Sequence, residues 1–192
     1  MQKKEEKCCT CRGFLVLLMV SVVCFSTMAC VKTPRVEKMS PLDGDIHLAG
    51  RFHHTVSVDA EWGVEVSRNK HGWGNDLTQE MFLEAVVSSL EDTKLFSAVV
   101  PRDQANYNLY ATLSDVTLNL HDPVFGYVMS YTVTAKWKLV DAGTGETIFL
   151  EQIAAAGFGR AFNGITRNTV GREEGAKKNI IAGLQKISAL GL

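Results

Sequence analysis

Five cysteines and five histidines are the side chains of this 192-residue chain best suited to catalysis or metal binding. Their spacing argues against most of that chemistry. Cys8, Cys9, Cys11, Cys24 and Cys30 all fall in the first 30 residues, so nothing after them can form an intrachain disulfide or a cysteine metal site. His53 and His54 are adjacent, so on a strand they point to opposite faces and cannot chelate together. His47 has no partner at helical spacing, and a zinc site from His71, His121 and a carboxylate would have to be assembled by the fold. Asp115 and Asp122 offer a carboxylate pair for acid–base work, but Asp122 precedes Pro123 at a predicted hairpin tip, where aspartate makes turns. There is no Gly-x-Ser-x-Gly elbow and no Gly-x-x-x-x-Gly-Lys-Ser/Thr phosphate loop. Gly157-Phe-Gly-Arg-Ala-Phe162 opens like a dinucleotide fingerprint, lacks its third small residue, and reads as a flexible turn. The expectation is a protein without catalytic residues, metal or cofactor.

Contact burial is the chemistry that remains. Trp73 stands between glycines in Lys70-His-Gly-Trp-Gly-Asn75, and Val124 and Phe125 sit at the hairpin tip His121-Asp-Pro-Val-Phe-Gly126. Phe158, Arg160 and Phe162 occupy the next predicted loop, with Arg167 a little further on. Trp, Phe and Arg are enriched among residues that dominate binding energy, so these loops are expected to touch a partner. Nucleic acid is a poor partner for a chain of net charge −1 and pI near 6.5. With 46% apolar and 21% charged residues the composition is that of an ordinary globular protein, neither disordered nor polytopic.

The first thirty residues read as an address. Lys3, Lys4, Lys7 and Arg12 precede the uncharged run Phe14–Phe25, and Ser26-Thr-Met-Ala-Cys30 follows with small residues. A positive segment, a short apolar segment and a small-residue cleavage region make a secretory signal peptide over 1–29. An uncleaved membrane-spanning helix is the alternative, since the uncharged stretch reaches Val31. Thr27-Met28-Ala29-Cys30 resembles the lipobox of bacterial lipoproteins, with Thr27 where leucine is preferred. The resemblance implies that Cys30 is lipidated, palmitate included, and becomes the first residue of the mature chain. Acyl chains bury about 0.8 kcal/mol per methylene, so several of them anchor firmly. Val31 after the cysteine, in place of aspartate, implies the outer membrane, facing the periplasm. Cys8, Cys9 and Cys11 would leave with the signal.

Residues 30–45, polar with Pro34 and Pro41, read as the lipidated N-terminus and a tether reaching about 50 Å at most. Residues 46–192 then form a single domain. Even positions from Val56 to Val66 are apolar or small, as are odd positions from Tyr127 to Leu139, and each alternation predicts a strand with one wet face. Tyr107, Leu109, Ala111 and Leu113 begin a third strand, but Val116, Leu118 and Leu120 have the opposite parity, which calls for a bulge near Ser114-Asp115. Asp141–Glu146 is a turn before a strand over 147–155. Asp76 is the expected cap of a first helix, with Gln79 in capping-box position and Met81, Phe82, Ala85, Val86, Ser89 and Leu90 as its inner stripe. Residues 95–100 predict a short strand. A second helix is expected over about 172–190, with Ala176, Ile180, Leu184 and Ile187 on one face. The predicted fold is α+β: a two-layer sandwich of a mostly antiparallel sheet with two helices on one face.

Three segments carry a resemblance: Phe82-Leu-Glu-Ala-Val-Val-Ser-Ser-Leu90 with Leu95-Phe-Ser-Ala-Val99, Ala105-Asn-Tyr-Asn-Leu-Tyr-Ala-Thr-Leu113, and Leu139-Val-Asp-Ala-Gly-Thr-Gly-Glu-Thr-Ile148. Together they are similar to small envelope lipoproteins: the periplasmic domain of the curli-secretion lipoprotein, penicillin-binding-protein activator lipoproteins, and auxiliary lipoproteins of envelope ABC transporters. The resemblance spans about residues 55–155 and implies an assembly factor or activator that binds another envelope component, protein or lipid. An accessory role in lipid or lipopolysaccharide transport is the alternative it implies.

Overall fold

A computed structural model describes residues 33–61, 77–119, 128–161 and 164–192. Its sheet has five strands, β1 (Thr55–Asp59), β2 (Ala98–Val99), β3 (Tyr107–Asn119), β4 (Val128–Asp141) and β5 (Thr147–Arg160), in the order β2-β1-β3-β4-β5. The three long strands form the expected antiparallel meander, whereas β1 pairs in parallel with both β2 and β3, so the sheet is mixed. The parity change in β3 is met by a register shift between Leu113 and Asp115. An extra residue there turns Val116 back to the face that Leu113 left.

Helices α1 (Val36–Met39), α2 (Gln79–Thr93) and α3 (Gly164–Ser188) complete the domain. Trp137 shows that α2 and α3 lie on one face of the sheet. It is fully buried, meets the Phe82 ring of α2 edge-on at 6.2 Å, and donates Nε1–H to Oδ1 of Asn179 in α3 at 3.0 Å. The alternate residues of β4 follow it inward (Tyr131, Val133, Ala135 and Leu139) against Phe82, Val86 and Leu90 of α2 and Ile180, Leu184 and Ile187 of α3. Burying each large aliphatic or aromatic side chain contributes roughly 1.5–3 kcal/mol, and this continuous core is the main source of stability. On the opposite face Lys136 and Lys138 both pair with Glu61, at 2.7 and 3.1 Å.

Three local expectations need correction. The cap of α2 is Thr78, whose hydroxyl accepts the Met81 N–H; Gln79 instead bridges β3, donating to the Ala111 carbonyl at 2.9 Å and accepting the Leu113 N–H at 2.7 Å. β1 stops pairing at Tyr110, so β3 has backbone groups there that need other partners, and the Gln79 amide supplies them. Helix α3 starts at Gly164, well before residue 172. Lastly, the stretch read as a tether is mostly docked. Pro34, Met39, Ser40 and Pro41 are buried, and α1 packs on both α2 and α3. Arg35 N–H donates to Glu173 at 2.9 Å, and Asp45 pairs with Lys177 at 2.8 Å. Residues 34–41 therefore pack as part of the domain.

Candidate functional site

Small residues set the geometry of the β5–α3 seam. Gly171, Gly175, Asn179 and Gly183 recur every fourth residue, which places them on one side of α3. Facing them on β5 are Gly157 and Gly159, where a Cβ would overlap backbone atoms: the Gly171 carbonyl and Gly175 amide in one case, the Arg167 carbonyl in the other. At Gly183 the added carbon would strike the Trp137 indole at 2.5 Å. Strand and helix thus meet backbone to backbone. Asn179 satisfies the polar groups this closeness buries, donating to the Val133 and Ile153 carbonyls at 3.1 and 2.7 Å while accepting from Trp137.

Because β5 alternates, glycines turned inward at 157 and 159 turn Phe158 and Arg160 outward. β5 is an edge strand, and the outward N–H of Phe158 donates to Oε2 of Glu174 at 2.6 Å. Glu174 is also paired with Lys178 at 2.8 Å, and the Lys178 ammonium stands 5.5 Å from the Phe158 ring centroid. Partial burial pushes the Glu174 pKa up, but the hydrogen bonds from Lys178 and the Phe158 N–H and the charges of Lys178 and Arg160 outweigh it and hold the carboxyl below its ordinary range. The result is an aromatic ring, 41% exposed, set among Lys178, Glu174 and Arg160.

The opposite end of the sheet holds a cleft of about 530 Å³ lined by His54, Arg102, Asp103, Asn106, Tyr107 and Asp141. Two of its polar side chains, Asp141 and Asn106, are engaged in local structure. Asp141 accepts N–H bonds from Gly143 and Thr144 at 2.9 and 2.8 Å; the Thr144 bond is the foremost reason its carboxyl titrates below the usual value. Asn106 accepts from the Thr55 amide and hydroxyl, and the His54 ring lies edge-on to Tyr107 at 5.4 Å. The bonds of Asp141 and Asn106 build a turn and tie β1 to β3. Among the described residues no cluster of histidine, cysteine and carboxylate side chains could hold a metal ion. Asp115 accepts from the Thr117 hydroxyl and is engaged in its own strand.

Of the residues expected to contact a partner, Phe158 and Arg160 are brought together, but on a strand where a flexible turn was expected. Glycine's usual meaning as a breaker misleads here, because Gly157 and Gly159 are required by the approach of α3. Trp73, Val124, Phe125 and Phe162 lie outside the described residues, as do Cys30, His71, His121 and Asp122. Glu174 and Lys178 escaped the sequence reading. The Gly-x-x-x-Gly spacing of Gly171 and Gly175 was the available signal that a helix passes close to β5 there.

No family model matches this sequence, and no curated protein does. Solved structures do. Protein XCC0632 from Xanthomonas campestris, assigned to the DUF330 family, superposes with a TM-score of 0.54 at 14% identity, over 76% of this chain and 91% of its own. The hypothetical protein CT253 from Chlamydia trachomatis gives 0.52 at 11% identity, over 72% and 97%. Lipoprotein GNA1162 from Neisseria meningitidis is aligned over 58% of this chain and 88% of its own at 16% identity, with a TM-score of only 0.28. The likeness to the first two is one of fold. Both are bacterial proteins that the domain matches over nearly their whole length, and the likeness goes no finer. No helix among the described residues is long and apolar enough to cross a membrane.

Proposed function

We propose that this is a non-catalytic lipoprotein of the bacterial envelope, lipidated at Cys30, anchored in the outer membrane facing the periplasm, and acting by binding another envelope component. The observation that carries the binding role is Phe158. The fold can turn a small residue outward on β5, as it does at Ala154 and Ala156, yet here it presents a large ring with Arg160 and Lys178 beside it. Aromatic and arginine side chains so placed are what interfaces use as anchors. The signal-like first 29 residues support the envelope setting, and the fold is one found in bacterial proteins.

Intact mass and membrane fractionation of the wild type beside Cys30→Ser tests the anchor. Acylated wild type that pellets with the outer membrane, with an unmodified and displaced variant, is the expected result. An uncleaved, unmodified wild-type chain overturns it and makes Phe14–Val31 a transmembrane segment. A photoreactive residue at 158 tests the contact; it should label an envelope component well above the same probe at Leu150.

A further inference from the structure

The mature chain enters its domain almost as soon as it leaves the lipidated residue. Pro34 is buried, the Arg35 amide is held by the buried Glu173 carboxylate, and Met39 is wholly enclosed. Four residues after Cys30 the chain is thus already docked, and four extended residues reach about 14 Å at most. An anchor that short holds the domain against the leaflet instead of suspending it.

The point of entry also fixes which part of the domain comes near. Glu173 and Glu174 are successive residues of α3; the first holds Arg35 and the second holds the edge N–H of Phe158. One turn of helix therefore carries both the incoming chain and the exposed ring. Arg160 closes β5 at the end of the sheet where β3 finishes, β4 starts and α3 starts. The cations around this entry reach outward: the Arg35 side chain is 52% exposed, and Lys178 and Arg160 are exposed as well. Of the two carboxylates, Glu173 is buried 3.9 Å from Arg35, while Glu174 is partly exposed and neutralises Lys178, which leaves Arg160 and the outer part of Arg35 as the excess positive charge.

We propose that the partner of the Phe158–Arg160 surface is the phospholipid headgroup layer of the leaflet that holds the acyl chains, with Phe158 seated at the interface and Arg160, Lys178 and Arg35 against phosphates. The proposal rests on the reading of Cys30 as a lipid anchor. Apolar rings flanked by basic side chains suit an anionic interface. Prior anchoring makes the contact intramolecular, so a patch too small to hold a free protein is sufficient. The turn at Asp141–Glu146 and the His54 cleft then face away, because β5 separates the two ends by about 45 Å.

The test uses the lipidated mature protein in vesicles of phosphatidylethanolamine and phosphatidylglycerol. Cys30 is its only cysteine, so Ala156→Cys and Leu150→Cys each introduce one thiol for a fluorophore, on outward positions of the same strand about 20 Å apart. Quenching by headgroup nitroxide lipid should be at least threefold stronger at 156 than at 150. Replacing both Phe158 and Arg160 by serine in the Ala156→Cys protein should bring the ratio toward one without changing the melting temperature, since both side chains are exposed. Equal quenching at the two positions in acylated protein overturns the membrane contact and leaves the anchor intact. So does labelling of a protein, with no lipid, from position 158 in cells. Intact mass on the same sample separates the remaining outcome: an unacylated chain overturns the anchor, and the orientation built on it falls with it.

Discussion

Where β3 starts and β4 finishes, Asp141, Asn106 and His54 are committed to neighbouring backbone and rings. Where β5 finishes, Phe158 and Arg160 are exposed and anchor nothing in the core. Both ends present aromatic and charged side chains, and a list of residue types would rank the cleft higher for its histidine and carboxylates. The hydrogen-bond geometry reverses that ranking. Side chains consumed by turns and strand pairing are explained by the fold. The exposed Phe158 ring is not consumed in this way: its one described partner is the Lys178 ammonium, and it is left available for the proposed contact.

The sharpest way to break the comparison is to remove the seam that presents Phe158. Asn179→Leu should cost about 4 kcal/mol, because it removes three buried hydrogen bonds and leaves the Trp137 Nε1–H without its acceptor. Equilibrium denaturation measures this, and a loss below about 1 kcal/mol would mean that water reaches the seam. Gly157→Ala should come next, at about 3 kcal/mol, since the added methyl meets backbone of α3 that can move only by shifting the helix. Substitution in the 141–146 turn, by contrast, should leave photolabelling from 158 unchanged.

How much of this was legible follows from the same contrast. Period-two alternation announced β3 and β4, and the parity slip near Ser114 announced the bulge, because burial on one face constrains every second residue. The inner stripes of α2 and α3 were legible for the corresponding reason at period 3.6. The docked segment 34–41 was not, since its burial rests on one methionine and two prolines, too few residues to show any period. Nor was the β5–α3 seam. Glycine carries no hydrophobic signal, and only the three-dimensional approach of two backbones shows why Gly157, Gly159, Gly171 and Gly175 must be bare. The surface was therefore half legible: Phe158 and Arg160 stood out by type, whereas Glu174 and Lys178 could be assigned only once β5 was seen to run on to Arg160 alongside α3.

A smaller effect separates the two ends by pH. The Glu174 carboxyl is held below its ordinary range in the folded state, so its contribution is present above the unfolded value and is lost as pH falls through the folded one. Between about pH 5 and 3 the wild type should lose stability that Glu174→Gln does not lose. Melting curves at stepped pH compare the two slopes, and parallel slopes would mean that Glu174 titrates alike in the folded and unfolded chain, so that its bonds to Lys178 and the Phe158 N–H do not favour the carboxylate. Since Glu174 is partly exposed, solvent screening keeps the difference modest.

The smallest expected change in stability belongs to the residue with the largest expected change in function. Phe158→Ser and Leu150→Ser each remove an exposed apolar side chain from an outward position of one strand, and each should alter stability by no more than about 0.5 kcal/mol. If exposure alone made a surface functional, Leu150, at 58% exposed, would matter more than Phe158 at 41%. The two differ in their surroundings: Leu150 stands opposite Lys138 near the turn end of the ladder, whereas Phe158 sits under Lys178, two residues from Arg160 and beside the turn of α3 that holds the incoming chain. Envelope contact should therefore fall sharply with Phe158→Ser and stay at the wild-type level with Leu150→Ser. Equal loss in both would make the whole outward face of β5 the interface, and the contrast between its two ends would be one of chemistry without consequence.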